Sequence, residues 1–193
     1  MGHHTFDPSM ADRLEDAARR YRYLSMEELV GALGISGAEK RDSVVADLGS
    51  GTGFYTDDVA PHVGKVYAVD VQDEMHTHYA EKDGGVPENV ELVTAEIVDM
   101  PFENDALDAA YSTMTYHEFV SEDALEEVRR VLRPGTRFVV ADWSSKGSGE
   151  VGPPTDERYS KDEAVSALED AGFDVLRADE RTETFVLRAE AGG

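Results

Sequence analysis

The stretch VVADLGSGTGFYTDDVA, residues 44–60, decides the fold. Its first five residues form a short apolar run of the kind that fills a buried strand. Glycines follow at 49, 51 and 53, and then polar and apolar residues at helical spacing. A strand that turns on glycine into a helix usually cradles a phosphate with backbone N–H groups. Here no lysine or arginine follows until Lys65, and acids bracket the loop: Asp47 before it, Asp57 and Asp58 after it. The dinucleotide fingerprint G-x-G-x-x-G places its third glycine one residue later, and the nucleotide P-loop ends in a lysine that is missing here. Taken alone, the glycines can also serve nothing more than a tight strand-to-helix turn.

Outward from this stretch, strand and helix patterns alternate. VVADL (44–48), KVYAVDV (65–71), NVELVTAE (89–96), ALDAAYST (106–113) and TRFVVADW (136–143) read as strands. Helices are predicted from about Tyr55, from about Asp73, over 121–132 with Ser121 as cap, and over 160–172 with Gly172 as stop. Residues 144–158 are turn-rich and read as a loop, and 173–189 read as an antiparallel hairpin. Ahead of the first strand, residues 9–34 carry two helical patterns. The second starts after Ser25, buries Leu29, Val30 and Leu33, and stops at Gly34. Alternating units of this kind predict a mostly parallel sheet with helices on both faces. Ligands then sit at the carboxyl ends of the strands, at the switch in strand order.

Composition bounds the function. A chain of 193 residues with 40% hydrophobic residues supports one domain, here 1–193, with 1–40 as a helical lid and 41–193 as a cofactor-binding core. It contains no cysteine, no apolar run of membrane-spanning length and no signal-peptide pattern at its start, so it reads as cytoplasmic. Forty-one acids against 18 bases leave a net charge of −23, with acids in every segment. That spread reads as a solvated acidic coat, as in proteins of salt-saturated cytoplasm, rather than as a docking face for a basic partner. Without a basic stripe to neutralise phosphates, no nucleic-acid partner is expected.

Three acids at strand ends extend the site. Asp70 ends the second strand, where a carboxylate accepts the two hydroxyls of a ribose or caps the next helix. Glu96 ends the third, within reach of an adenine amino group, or is an exposed loop acid. Asp47 faces the loop and suits an ammonium. Three carboxylates would repel a pyrophosphate and favour a cationic nucleoside.

With these residues in place, the sequence resembles the class I S-adenosylmethionine-dependent methyltransferases, and among them the small group similar to ubiquinone and menaquinone biosynthesis methyltransferases. VVADLGSGTGFYT, VYAVDVQDEM, AEIVDMPFENDALDAAYS and EEVRRVLRPGTRFVVADW resemble four family motifs in the family's order. The resemblance implies a Rossmann-like seven-stranded mixed sheet, one strand antiparallel near the C-terminus, and S-adenosyl-L-methionine as cofactor. It implies a cofactor site of Asp47, Gly49, Ser50, Gly51, Gly53, Asp70, Val71, Glu96, Ile97 and Ser112, with loop N–H groups near the cofactor's carboxylate and Asp47 near its amine. Glu96 and Ile97 stand where the family usually has aspartate and alanine. His117, after the fourth strand, occupies a position where many members carry a histidine and is the candidate general base; the alternative is a packing histidine. Tyr55 and Tyr116 either line the acceptor pocket or belong to the core. His76 and His78, two apart, do not share a helix face, and no spacing suits a metal. The acceptor is expected to be a small molecule, and the protein a monomer or homodimer. The rival readings are an NAD(P)-dependent reductase and a cofactor-binding protein without turnover.

Overall fold

The structure, a computed structural model, describes residues 13–35 and 42–193. The expected helical start at 9–12, His3, His4 and the proposed lid–core boundary at 40 lie outside the described residues.

Seven strands form one sheet in the order β3-β2-β1-β4-β5-β7-β6. They are β1 (Val44–Leu48), β2 (Lys65–Asp70), β3 (Val90–Thr94), β4 (Leu107–Thr113), β5 (Leu132–Trp143), β6 (Phe173–Glu180) and β7 (Thr184–Ala191). β1 through β5 pair in parallel, and β7 runs antiparallel between β5 and β6. This is the mixed Rossmann-like sheet that the sequence predicts, with the C-terminal hairpin supplying the antiparallel strand.

Alternation along the central strands fills both faces. Ala110, Phe138 and Val140 point into one core with Leu125, Val128 and Leu168. Tyr111, Val139 and Ala141 point into the other, with Leu29, Leu33, Tyr55 and Val59. The helices covering these faces are α1 (Ala17–Arg20), α2 (Met26–Leu33), α3 (Phe54–Val59), α4 (Asp73–Glu81), α5 (Tyr116–Phe119), α6 (Glu122–Val131) and α7 (Lys161–Asp170). Their ends follow local chemistry. The hydroxyls of Ser25 and Ser121 accept from the N–H groups of Glu28 and Ala124, and Ser160 with Glu163 closes a reciprocal capping box. Gly34 ends α2 in the left-handed conformation.

Two boundaries differ from the sequence reading. β5 begins at Leu132, not at 136, but Leu132 pairs with Leu107 and the ladder resumes only at Arg137 opposite Ala109. Pro134 has no N–H to donate, so the expected turn survives as an irregularity inside the strand. Residues 24–35 are also more than a lid: Leu24, Leu29, Leu33 and Ile35 are buried in the second core. Only the segment from 13 to 23 overhangs the carboxyl ends of the strands. There β1 and β4 are neighbours although the chain leaves β1 for β2, and this opens the crevice that holds the site.

Candidate functional site

In the loop after β1, the N–H groups of Gly49, Ser50, Gly51 and Gly53 are hydrogen-bonded within the protein. Gly49 and Ser50 donate their N–H groups to the Val69 carbonyl at 2.8 and 3.0 Å, and Gly53 donates to the Ser50 carbonyl at 2.9 Å. Gly51 donates to Asp70 Oδ2 at 2.8 Å, while Asp70 Oδ1 accepts from the Gln72 N–H at 2.9 Å. The expectation that these N–H groups face a carboxylate is therefore corrected: a strand-end carbonyl and a strand-end carboxylate already hold them. The glycines serve close approach instead. A Cβ on Gly49 would lie 2.3 Å from Thr115 Cγ2, and one on Gly53 would lie 2.1 Å from the Tyr79 ring. Gly53 also sits at φ +79°, where a side chain is strained. Gly53→Ala is expected to cost about 2–4 kcal/mol, from overpacking and strain together; a melting temperature within 2 °C of the parent would refute this.

The acids that bracket the loop turn out to be latches. Asp57 accepts from the Tyr79 hydroxyl at 2.6 Å and pairs with Lys82 at 2.7 Å. Asp58 accepts from the Tyr21 hydroxyl at 2.8 Å; burial and this carboxylate push the phenol up to about 12. Glu15 bonds the Thr52 hydroxyl and pairs with Lys82 at 3.4 Å. Residues 15–21 are thus tied across the loop.

Beneath them lies a cavity of 230 Å³ at the carboxyl ends of β1, β2 and β4. Gly49, Ser50, Gly51, Asp70, Val71, Glu96 and Ile97 all line it. The other three expected cofactor residues do not. Gly53 packs on Tyr79. Ser112 is buried, its hydroxyl without a partner among the described groups. Asp47 is buried below the loop, where Oδ2 accepts from the Thr56 hydroxyl at 2.6 Å and Oδ1 has no partner among the described groups. Burial pushes its carboxyl up to about 7, against the hydrogen bonds from Thr56 and Tyr111 and the charge of Arg20.

A second cavity of 840 Å³ adjoins the first, sharing Leu14, Arg20, Met114 and Glu118. His117 and Tyr55 line it, while Tyr116 is core. The His117 ring is fixed by Asp142: Nδ1 lies 3.0 and 2.9 Å from the two carboxylate oxygens. The same carboxylate accepts from the N–H groups of His117 at 2.7 Å and Trp143 at 2.8 Å. Burial alone would lower the His117 pKa, but the charge and hydrogen bond of Asp142 outweigh it and raise it. With Nδ1–H given to Asp142, the neutral ring carries its lone pair on Nε2, 3.8 Å from Glu118 Oε1. Asp142 escaped the sequence reading, although its position at the end of the fifth strand was the signal.

Arg158 was likewise missed. Its fully buried side chain gathers the carbonyls of Val151, Pro153 and Ser144 and reaches Glu183 at 3.8 Å. Its guanidinium also stands 5.5 Å over the Trp143 ring. The 150–157 loop is thereby fastened as one wall of the larger cavity.

A methyltransferase-domain model matches residues 46–140. A solved S-adenosylmethionine-dependent methyltransferase from Aquifex aeolicus is 33% identical, covers 97% of this chain, is itself covered over its full length, and superposes with a TM-score of 0.85. The chain belongs to the S-adenosylmethionine-dependent methyltransferases, whose methyl donor is S-adenosyl-L-methionine. Among curated relatives, the sterol 24-C-methyltransferase of Yarrowia lipolytica is 31% identical over 150 residues, 68% of this chain and 39% of the relative. The ubiquinone/menaquinone biosynthesis C-methyltransferase of Ectopseudomonas mendocina is 33% identical over 110 residues, 54% of this chain and 43% of the relative. The chain thus spans less than half the length of these two relatives.

Proposed function

We propose that this protein transfers the methyl group of S-adenosyl-L-methionine to a small organic acceptor held in the larger cavity. The observation that carries the reading is the convergence of seven expected cofactor residues on one cavity that opens beside a histidine held by a buried carboxylate. The residues suit the cofactor. Asp70 lines the cavity with acceptor capacity for ribose hydroxyls, Glu96 and Ile97 flank an adenine, and the buried Ser50 hydroxyl there has no partner. Arg20 replaces the loop N–H groups as the carboxylate's partner: it lines the same cavity, and its buried Nε has no hydrogen-bond partner among the described groups.

When bound, the cofactor supplies an electrophilic methyl on a sulfonium. The chain aligns the acceptor with it, a mainly entropic contribution. His117 takes the acceptor's proton at Nε2, and Asp142 holds the ring's tautomer and steadies the imidazolium that results. Leu14 and Arg20, overhanging both cavities, exclude water from the junction.

Calorimetry with S-adenosylhomocysteine and with NADH tests the cofactor. Saturable binding of the first and none of the second is expected; the reverse restores the reductase. Asp70→Ala is expected to weaken S-adenosylhomocysteine tenfold to a hundredfold, roughly 1.5–3 kcal/mol for hydrogen bonds to a charged acceptor. Because Asp70 also holds the Gly51 and Gln72 N–H groups, the variant is expected to melt lower as well. Unchanged affinity would remove Asp70 from the site.

The acidic coat supports a saline cytoplasm as the setting. Among the described residues, no helix is long and apolar enough to cross a membrane. At a net charge of −23, stability is expected to rise up to molar potassium chloride, where screening confines repulsion to ~3 Å. A flat or falling melting temperature over that range would contradict this.

A further inference from the structure

The larger cavity carries a charge opposite to that of the protein. Only 18 of the 193 residues are basic, yet four arginines of the short segment 13–22 line this one space. Arg20 is shared with the smaller cavity. Arg13, Arg19 and Arg22 line the larger one alone. Three glutamates face them, Glu118 beside His117 and Glu150 and Glu157 on the opposite loop. The lining is therefore net positive by one, before His117 is counted, in a chain of net −23.

Elsewhere the protein's arginines are mostly matched. Arg130, Arg133, Arg158, Arg177 and Arg181 all pair with carboxylates. No ion pair joins Arg19, Arg20 or Arg22 to a carboxylate among the described residues; the same holds for Arg129, Arg137 and Arg188, but those three are scattered and line neither cavity. The rest of the wall is ring and apolar surface. Tyr23 and Trp143 meet edge to face at 4.9 Å, and Val151, Pro153 and Pro154 continue the surface across the loop. A volume of 840 Å³ is in the range of small-molecule sites.

Resting on the methyltransferase reading, we infer that the acceptor is an organic anion, a carboxylate or phosphate on an aromatic or apolar body. Arg19 and Arg22 hold the anionic group, and the Tyr23–Trp143 surface holds the body. An arginine fork matches either anion with two parallel hydrogen bonds. The long-range attraction also draws an anion through a surface that otherwise repels it.

The test uses the intact protein and four probes of similar size: benzoate, phenyl phosphate, benzamide and benzyl alcohol. Each is titrated by calorimetry into the free protein and into protein saturated with S-adenosylhomocysteine, which removes Arg20 from competition. Binding of S-adenosylhomocysteine, measured first, tests the cofactor reading on its own. An anion that binds at least tenfold more tightly than both neutral probes, and loses at least tenfold in Arg19→Gln/Arg22→Gln, supports the proposal. Benzoate or phenyl phosphate as the preferred probe then identifies the anionic group. Both substitutions lie at partly or fully exposed positions, and circular dichroism of the variant verifies its fold. Neutral probes that bind as well as the anions would overturn the proposal, as would anion binding unchanged in the variant or no anion binding at all. In each of these cases the arginines serve only to face Glu150 and Glu157.

Discussion

Replacing His117 with alanine is expected to lower turnover by about 10²–10⁴ while cofactor affinity stays nearly unchanged. The ring lines the larger cavity and not the smaller, so the two effects should separate. Asp142→Asn should cost much of the same rate, because an amide cannot hold Nδ1–H and steady an imidazolium in the same way. The pH profile carries the sign. Only the neutral ring accepts a proton, and Asp142 raises the pKa of His117 above its ordinary value near 6.5. Activity should therefore rise with pH and reach its plateau on the alkaline side of an ordinary histidine. The same shift enters stability. A raised pKa stabilises the fold fully below the unfolded pKa, and this contribution is lost as pH rises through the folded one. Single-turnover rates at saturating cofactor decide the matter. A difference below about threefold between His117→Ala and the parent would retire the base, and a fall in melting temperature without loss of rate would make His117 a packing residue.

Arg158→Ala is expected to be the most destabilising single change, costing about 3–5 kcal/mol. Removing the guanidinium strands the carbonyls of Val151, Pro153 and Ser144, each at a desolvation cost of about 1–3 kcal/mol unless water reaches it. It also leaves Glu183 without this partner. For a chain of this size the melting temperature should fall by roughly 6–20 °C. Arg158→Lys keeps the charge but not the fork, and should recover less than half of the loss. A variant within 2 °C of the parent would show that the 150–157 wall stands without its clamp. Because that wall lines the larger cavity and not the smaller, S-adenosylhomocysteine affinity should change far less than acceptor affinity.

The elements most legible in the sequence were those set by periodicity and punctuation. The runs at 44–48 and 65–70 could only be strands, and Ser25, Ser121 and Ser160 announced helix starts because their hydroxyls have one obvious donor three residues on. That seven of the ten expected residues line one cavity was legible because they follow strand ends, and topology gathers strand ends. Less legible was anything decided by a distant partner. Asp47 and Asp70 look equivalent in the sequence, yet one is sealed beneath the loop with Thr56 and the other holds the loop from the side. Gly53 shares a motif with Gly49, but the Tyr79 ring, 26 residues on, is what requires it. Asp142 and Arg158 reveal themselves only once β4 and β5 lie side by side and the loop after β5 folds back on Trp143.

The hydrogen bonding of the glycine loop bears on access to the cavity. The loop's shape is set by the chain's own groups, the Val69 carbonyl and the Asp70 carboxylate. Access then falls to the strap of residues 13–23, tied to the buried Thr52, to Lys82 and, through the exposed Tyr21, to Asp58. The tie through Tyr21 is the one most open to water and should release first. The rate at which a ligand leaves the smaller cavity should then follow the opening of that strap.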